Sequence, residues 1–348
     1  MPITLSRRGF TAGGIALAAA GFGTRPASAQ QQRMVLGTYG GDTQRYIEDL
    51  IVKPILEPKG IATVIEAASD APRRLKLQAE RRLPRGTYDV VHNQAAILYQ
   101  LYQDGLLDEL DVSRIPAYDK ILPVVKTGYA IPHTVTARAI LYNPAHVSPA
   151  PSSYDDLWNP KYANKVGLIN PHYNMALSSA ALTSGGSMSN YEPGKAKLLE
   201  LKKLGVQVYP SNEAFGQALQ TGECWIGLMI QSRGIMWKRQ GVPIEIAYAK
   251  EGVPMDWWGF GIPKNARNKD AAYEFINASL TVQAQTGWAA AMWSPPATST
   301  GLDALDPQLS RLMELPEAFR GKLLDVDPAY IAKTDGANKE WWDRVFKA

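Results

Sequence analysis

The sequence contains very little cysteine. Its single cysteine, Cys224, cannot form an internal disulfide, and it lies in the apolar run C-W-I-G-L-M-I at 224–230. A thiol within such a run is typical of a buried, unreactive side chain, so the sequence does not favour a cysteine nucleophile. Cys224 is also far from the N-terminus, which excludes a lipid-anchored cysteine at the start of a processed chain.

Long apolar runs and long basic runs are absent as well. Beyond residue 29, no apolar stretch reaches the roughly 18 residues that a membrane-spanning helix needs. The formal net charge is +4, and residues 1–29 hold three arginines and no acid, so residues 30–348 carry only +1. No run of five basic residues occurs there, and the composition therefore gives nucleic-acid binding no electrostatic support.

The sequence patterns of common enzymes are also missing. There is no H-E-x-x-H, no P-loop and no dinucleotide fingerprint, and G-G-S-M-S at 185–189 lacks the last glycine of a nucleophile elbow. The pair Asp155-Asp156 lies in a loop with helix-starting character, which is typical of a solvated cap. The four histidines are scattered without ligand spacing, as polar surface or hinge residues are: His92, His133, His146 and His172. We therefore predict no catalytic residue, no metal site and no cofactor.

The first thirty residues have the pattern of an export signal. Ser6-Arg7-Arg8-Gly9-Phe10 precedes a weakly apolar run over residues 12–23, and Ala27-Ser28-Ala29 supplies the small residues of a signal-peptidase site. This arrangement closely resembles a twin-arginine (Tat) signal peptide. We expect residues 1–29 to be removed after Ala29 and the mature chain, beginning at Gln30, to lie in the periplasm.

From residue 31 onward, short extended segments alternate with helical ones. Alternation at this spacing predicts an α/β fold whose sheet is rich in parallel strands and covered on both faces. The predicted strands are 34–38, 61–67, 88–91, 139–142, 166–169, 206–209, 225–230 and 244–249. The predicted helices are 42–55, 73–82, 95–103, 175–182, 195–204, 213–219 and 268–280 with Asn268 as N-cap, and the last forty residues are predicted helical.

Several stretches together resemble the type II solute-binding proteins of ABC importers, in particular the polyamine-binding (spermidine/putrescine) branch. The resemblance runs over essentially all of the chain after the signal. Its carriers are T-Y-G-G-D at 38–42, T-Y-D-V-V at 87–91, I-L-Y-N-P at 140–144, S-S-Y-D-D-L-W-N-P-K-Y-A-N-K-V at 152–166, G-E-C-W-I-G at 222–227, Q-G-V-P-I-E-I-A-Y-A-K-E-G at 240–252 and G-I-P-K-N-A-R-N-K-D-A-A-Y-E-F-I at 261–276.

This resemblance implies a fold, a role and a partner. The fold is two α/β lobes with mixed, mostly parallel sheets, joined by a two-segment hinge. Lobe one would comprise 31–136 plus 257–304, and lobe two 137–256 plus 305–348. The role implied is that of a monomeric receptor, not an enzyme, which binds a small molecule between its lobes and docks transiently on a membrane permease.

The resemblance also implies where ligand contacts lie. The segment P-M-D-W-W-G-F-G-I-P at 254–263 crosses between lobes and offers an acid and an aromatic to the cleft. Successive side chains of an extended segment point to opposite faces, so only one of its two tryptophans can face the cleft. Together with the turns after the strands, the expected ligand-binding residues are Thr38, Tyr39, Gly40, Gly41, Asn93, Gln94, Tyr173, Asn174, Gln231, Arg233, Asp256, Trp257 or Trp258, and Trp293.

Departures from the polyamine branch leave the ligand open. The branch has an acid pair after the strand at 166–169, where this chain has N-P-H-Y-N. It also has an aromatic residue at the position that Ile230 occupies in this chain. Arg233, if it faces the cleft and not solvent, would repel a polycation and suit a carboxylate. The ligand is thus either polyamine-like or a small carboxylate. A ferric-ion receptor is disfavoured because the chain has no Tyr-Tyr pair, and a secreted hydrolase because it lacks a nucleophile and base.

Overall fold

Ten strands form one mixed sheet in the computed structural model, which describes residues 32–348. The predicted signal peptide and its cleavage site lie outside the described residues. The strand order is β2-β1-β3-β9-β4-β7-β5-β6, with β10 beside β9 and β8 beside β4. The strands are β1 (Gln32–Thr38), β2 (Ile61–Ala67), β3 (Val90–Gln94), β4 (Ile131–Tyr142), β5 (Val166–Ile169), β6 (Gln207–Tyr209), β7 (Ile226–Ile230), β8 (Glu245–Ala247), β9 (Val253–Gly261) and β10 (Leu323–Asp325).

Helices connect most of the strands, and several begin at a side-chain cap. Asn268 accepts a hydrogen bond from the Ala271 amide, as predicted, and Ser211 and Thr281 cap the helices that follow them. The helices are α1 (Asp42–Ile47, continued by a π-helical segment Glu48–Leu56), α2 (Asp70–Glu80), α3 (Ala95–Gln103), α4 (Tyr173–Leu182), α5 (Glu192–Lys203), α6 (Asn212–Thr221), α7 (Gln231–Arg239), α8 (Lys269–Ser279), α9 (Val282–Met292), α10 (Ser299–Asp303), α11 (Pro307–Met313), α12 (Glu317–Arg320) and α13 (Pro328–Trp341).

Strand β4 belongs to both halves of the sheet. Its first part, from Ile131 to Ala137, pairs antiparallel with β9, and its second part, from Arg138 to Tyr142, pairs antiparallel with β7. All twelve of its residues are buried. Strands β4 and β9 therefore join a half built on β1, β2 and β3 to a half built on β5, β6 and β7.

The apolar core is divided in the same way. One large cluster draws on residues 34–135 and 257–297, and a second draws on 140–249 and 331–346. A small cluster containing Ala137, Ala139, Tyr248 and Val253 lies where β4 and β9 pass from one half to the other. Each half thus buries its own apolar surface, which is what two separate lobes require.

Most predicted elements are confirmed, and the differences are informative. Cys224 is buried, and burial raises the pKa of its thiol to about 12. The predicted all-helical C-terminus is wrong, because Leu323–Asp325 forms β10, in parallel register with Val253–Met255. Within residues 32–348, no helix is long and apolar enough to cross a membrane.

Candidate ligand-binding site

The two adjacent tryptophans of β9 face opposite sides of the sheet. Trp257, opposite Val135 of β4, is 7% exposed and packs in the first core cluster. Trp258 lies opposite Gln94 on β3 and Thr134 on β4, and it shares its face with Asp256. Strand alternation therefore directs one indole into the core and leaves the other on the surface where two cavities meet.

The larger cavity has a volume of about 520 Å³. Tyr39 and Gly40 enter it from the turn after β1, and Arg233 from the first turn of α7. Trp258 of β9 and Trp288 of α9 add two indoles to its wall. Aromatic faces with a few polar groups at strand ends are typical of a site for a small organic solute.

Arg233 lines this cavity without an ion-pair partner among residues 32–348. Its side chain is half-buried, and its one hydrogen bond runs from Nη1 to the Met236 sulfur at 3.7 Å. Among residues 32–348, no carboxylate oxygen lies within 4.0 Å of its guanidinium. The two acids at the cavity, Asp42 and Glu213, are both exposed, and Asp42 pairs with Arg45 at 2.8 Å.

Asp256, in contrast, is held by an internal cation. Arg138 Nε and Nη2 donate to its two carboxylate oxygens at 2.8 and 2.9 Å, and both side chains are 4% exposed. Arg138 Nη1 also donates to Ser178 of α4, while Gln94 Nε2 approaches Asp256 Oδ1 at 3.4 Å. This bidentate pair borders the smaller cavity, of about 90 Å³, together with Gln94 and Asn174.

Tyr39 is fixed at the cavity edge by a charged network behind it. The Arg73 guanidinium lies 4.5 Å from its ring centroid, and Arg73 donates to Asp70 at 2.8 Å. Burial, followed by the nearby Asp70 carboxylate, raises the pKa of Tyr39, so its phenol stays protonated. Asn93 also donates to Asp70, at 2.6 Å, and it lines neither cavity.

Two histidines meet behind the same wall. His92 and His133 are each 2% exposed, and their Nε2 atoms are 2.9 Å apart, so one ring donates and the other accepts. His92 Nδ1 is 2.9 Å from Thr38 Oγ1, and the His92 ring also borders the large cavity. The expectation of polar surface residues is wrong for this pair: β3 and β4 lie on either side of β9 and bring together two residues that are distant in sequence.

The histidine pair makes stability depend on pH. Burial, then His133 and Arg73, holds the pKa of His92 well below its usual value, and burial lowers that of His133 to about 3. Both stay neutral when folded but take up protons below about pH 6.5 when unfolded. The unfolded state then binds more protons than the folded state. The contribution of the two histidines to stability is therefore fully present above that pH and is lost as the pH falls below it. Lowering the pH from about 7 to 5.5 should reduce the free energy of unfolding by about 1 kcal/mol for each of the two histidines.

Urea denaturation of the wild type and of His133→Gln at both pH values tests this dependence. The variant should lose the contribution of one buried histidine, about 1 kcal/mol of the pH-dependent change. His146→Gln, on an exposed histidine stacked on Trp225, should keep it. An equal pH dependence in His133→Gln and the wild type would contradict the assignment.

The predicted site residues fall into four groups. Tyr39, Gly40, Arg233 and Trp258 line the large cavity, and Gln94, Asn174, Asp256 and Trp258 the small one. Gly41 forms the turn before α1, with a φ of +66° that glycine adopts readily. The others line neither cavity. Behind the wall, Thr38 is bonded to His92 and Asn93 to Asp70, while Gln231 donates to the Met313 carbonyl and Tyr173 to Asp335. Trp257 packs in the core, and the Trp293 ring lies under the Arg239 guanidinium.

Sequence reasoning missed Trp288 and His92. Trp288 occupies the cavity wall in place of Trp293, five residues further along. It lies in G-W-A-A-A-M, where its indole is the one large ring among glycine and alanine residues of the helix. That contrast is the only local signal for its role, and nothing local marks His92.

The fold is that of the two-lobed, type II periplasmic-binding-protein class, and β4 and β9 are the two strands that pass from one half to the other. The chain belongs to the family of bacterial extracellular solute-binding proteins, whose model it matches over residues 53–316. This family consists of solute-binding proteins and not of enzymes, in agreement with the prediction.

Individual relatives agree with this assignment. Spermidine/putrescine-binding periplasmic protein 1 of Haemophilus influenzae is 26% identical over 258 residues, or 68% of each chain. The gamma-aminobutyric acid-binding protein of Pseudomonas aeruginosa is 24% identical over 283 residues, 78% of this chain and 77% of the relative. The structure of the GABA receptor Atu4243 matches with a TM-score of 0.79 at 23% identity, covering 91% of this chain and 98% of the other. The predicted resemblance to the polyamine type and the two-lobed fold are confirmed.

Proposed function

We propose that the protein captures a small solute carrying a carboxylate and delivers it to the membrane permease of an ABC importer. The observation that carries the choice of ligand is the contrast between two charges. Arg233 has no carboxylate partner in the large cavity, whereas Asp256 is already neutralised by Arg138. A ligand anion can pair with Arg233 directly, but a ligand cation would have to compete with Arg138 for Asp256.

The aromatic wall favours a solute with an alkyl body and an amino group. Tyr39, Trp258 and Trp288 present rings to the cavity, and ring faces attract both methylene groups and ammonium ions. An ω-amino acid combines these features with a carboxylate for Arg233. Relatives named for gamma-aminobutyric acid support this class.

A polyamine is the second candidate. It is favoured by the same aromatic wall, by the exposed acids Asp42 and Glu213 and by relatives named for spermidine and putrescine. Gamma-aminobutyrate and putrescine have the same four-carbon length and differ in one terminal group. Under our proposal, calorimetry gives gamma-aminobutyrate the higher affinity, and a preference for putrescine would overturn it.

Ligand capture proceeds, in this proposal, by closure of two lobes around the hinge. Lobe one comprises 31–136 plus 257–304, and lobe two 137–256 plus 305–348. The two core clusters and the crossing at Ala137 and Val253 support this division. The closed form is the one that the permease would recognise, with the receptor acting as a monomer.

Export completes the proposal: residues 1–29 act as a Tat signal, cleaved after Ala29 to release the protein into the periplasm. Native mass spectrometry of protein taken from the periplasm without denaturation tests export and ligand together. We expect a polypeptide that begins at Gln30 and a retained solute with the mass of a small amino acid or other carboxylate. A start displaced by more than a few residues would contradict the cleavage site, and a retained polyamine the ligand class.

A further inference from the structure

Four arginines and a leucine form an exposed face on the first half of the molecule, which we call the arginine face: Arg81, Arg82, Leu83, Arg85 and Arg267. Two chain segments build it. The loop after α2 supplies the first four residues, and the turn after β9 supplies Arg267.

Backbone contacts fix the two segments together. Asn265 Nδ2 donates to the carbonyl oxygens of Glu80 and Leu83, at 2.9 and 3.4 Å. The Gly86 amide donates to the Asn265 carbonyl at 2.7 Å, and Arg267 Nε donates to the Gly86 carbonyl at 2.6 Å. The arginine face is therefore a defined surface and not a chance meeting of two mobile loops.

The charge of the arginine face is not compensated locally. Within residues 32–348, no carboxylate oxygen lies within 4.0 Å of any of its four guanidinium groups. The nearest acid in sequence, Glu80, is occupied by the Thr87 amide and hydroxyl at 2.7 and 2.6 Å. Residues 32–348 have a formal charge of only +1, so four uncompensated cations on one surface make the distribution of charge over the molecule strongly asymmetric.

An apolar tip stands among these cations. Leu83 is 51% exposed, and Pro84 beside it is exposed too, in the sequence R-R-L-P-R. A protruding loop with a central apolar pair and flanking guanidinium groups suits a broad anionic surface with an apolar layer beneath it. Its residues line neither of the two cavities described above.

The position of the arginine face separates it from ligand binding. Helix α2 begins at Asp70, which contacts Asn93 near the cavity wall, and runs back along the sheet to Glu80. The loop 81–85 and Arg267 therefore lie at the other end of the strands from the cavity. A partner bound there would leave the cleft and its closure unobstructed.

We propose that the arginine face docks on the surface of an anionic phospholipid bilayer, with phosphate oxygens between the guanidinium groups and Leu83 at the headgroup boundary. An extracellular solute-binding protein works beside such a membrane, and docking would raise its concentration there. The attraction comes from separate charges and is weak and reversible, at about fivefold in affinity for each arginine. Salt should weaken it, because exposed charges are screened beyond about 10 Å at 0.1 M.

Vesicle co-sedimentation tests this proposal with residues 30–348, which contain the whole described unit. Vesicles of phosphatidylglycerol and phosphatidylcholine should retain the protein at about 20 mM salt and release it at about 500 mM. The variant Arg81→Gln/Arg82→Gln/Arg85→Gln should bind about a hundredfold more weakly, at about fivefold for each arginine removed. The control Lys120→Gln/Lys161→Gln/Lys250→Gln removes the same charge from exposed sites elsewhere and should bind as the wild type does.

Three results would overturn the proposal: no binding at low salt, equal binding to pure phosphatidylcholine, or equal losses in the two triple variants. The last would show that net charge matters and the arginine face does not. Solute affinity should be the same in all three proteins. Failure of the proposed ligand class would not affect this test, because the vesicle assay needs no solute.

Discussion

Replacing Asp256 by asparagine should lower the free energy of unfolding by about 3 to 5 kcal/mol. Both members of the Arg138–Asp256 pair are 4% exposed, and the substitution leaves the Arg138 guanidinium buried without a counter-charge. The loss should exceed that from any exposed pair, since exposed pairs contribute about 0 to 1 kcal/mol. Urea denaturation followed by tryptophan fluorescence measures it.

Two controls separate charge from packing in that result. Asp49→Asn breaks an exposed pair with Lys53 and should cost less than about 1 kcal/mol. The double variant Arg138→Met/Asp256→Leu removes both charges and should recover much of the stability lost in Asp256→Asn. A cost below about 1 kcal/mol for Asp256→Asn would show that the pair does not hold the hinge strands together.

Replacing Arg233 by glutamine should weaken binding of the natural solute by about 2 to 5 kcal/mol if that solute carries a carboxylate. The guanidinium would be the partner of the ligand anion in a site that excludes water on closure. Stability should change little, because within residues 32–348 Arg233 forms no ion pair and donates only to the Met236 sulfur. Calorimetry with the solute identified by native mass spectrometry measures the change.

The matched control for Arg233 lies on the same helix. Arg239 is exposed, and its guanidinium stacks on Trp293 at 4.6 Å, away from both cavities. Arg239→Gln should leave affinity unchanged. Stronger binding in Arg233→Gln would indicate a cationic solute and favour the polyamine candidate, and an unchanged affinity would place Arg233 outside the site.

Local chemistry explains why so many elements could be predicted. The alternation of strands and helices, the Asn268 cap and the glycine turn at residues 40 and 41 all depend on neighbours within a few residues. Strand β10 escaped prediction because three residues, L-L-D, carry no periodicity of their own. They form a strand only because the edge of β9 is available to them.

The chemistry of the site depended on contacts that no local pattern contains. Asp256 was expected to serve the ligand, but its partner Arg138 lies 118 residues away and meets it through the register of β4 and β9. His92 on β3 and His133 on β4 also meet only because both strands pair with β9. Strand alternation did predict that only one of the two tryptophans of β9 could face the cleft. That this residue is Trp258 and not Trp257 follows only from the register of β9 with β3 and β4.

The place of β9 in the sheet also governs when the molecule can be assembled during synthesis. β3 has β1 on one side and β9 on the other, and the register joins Val91 to Gly261, far along the chain. A nascent chain that has emerged only as far as residue 250 contains β1, β2 and β3 but lacks the strand that joins them to β4. Such an intermediate presents an open sheet edge on which other chains can pair. The first half to leave the ribosome is thus completed only after residue 261 has emerged as well.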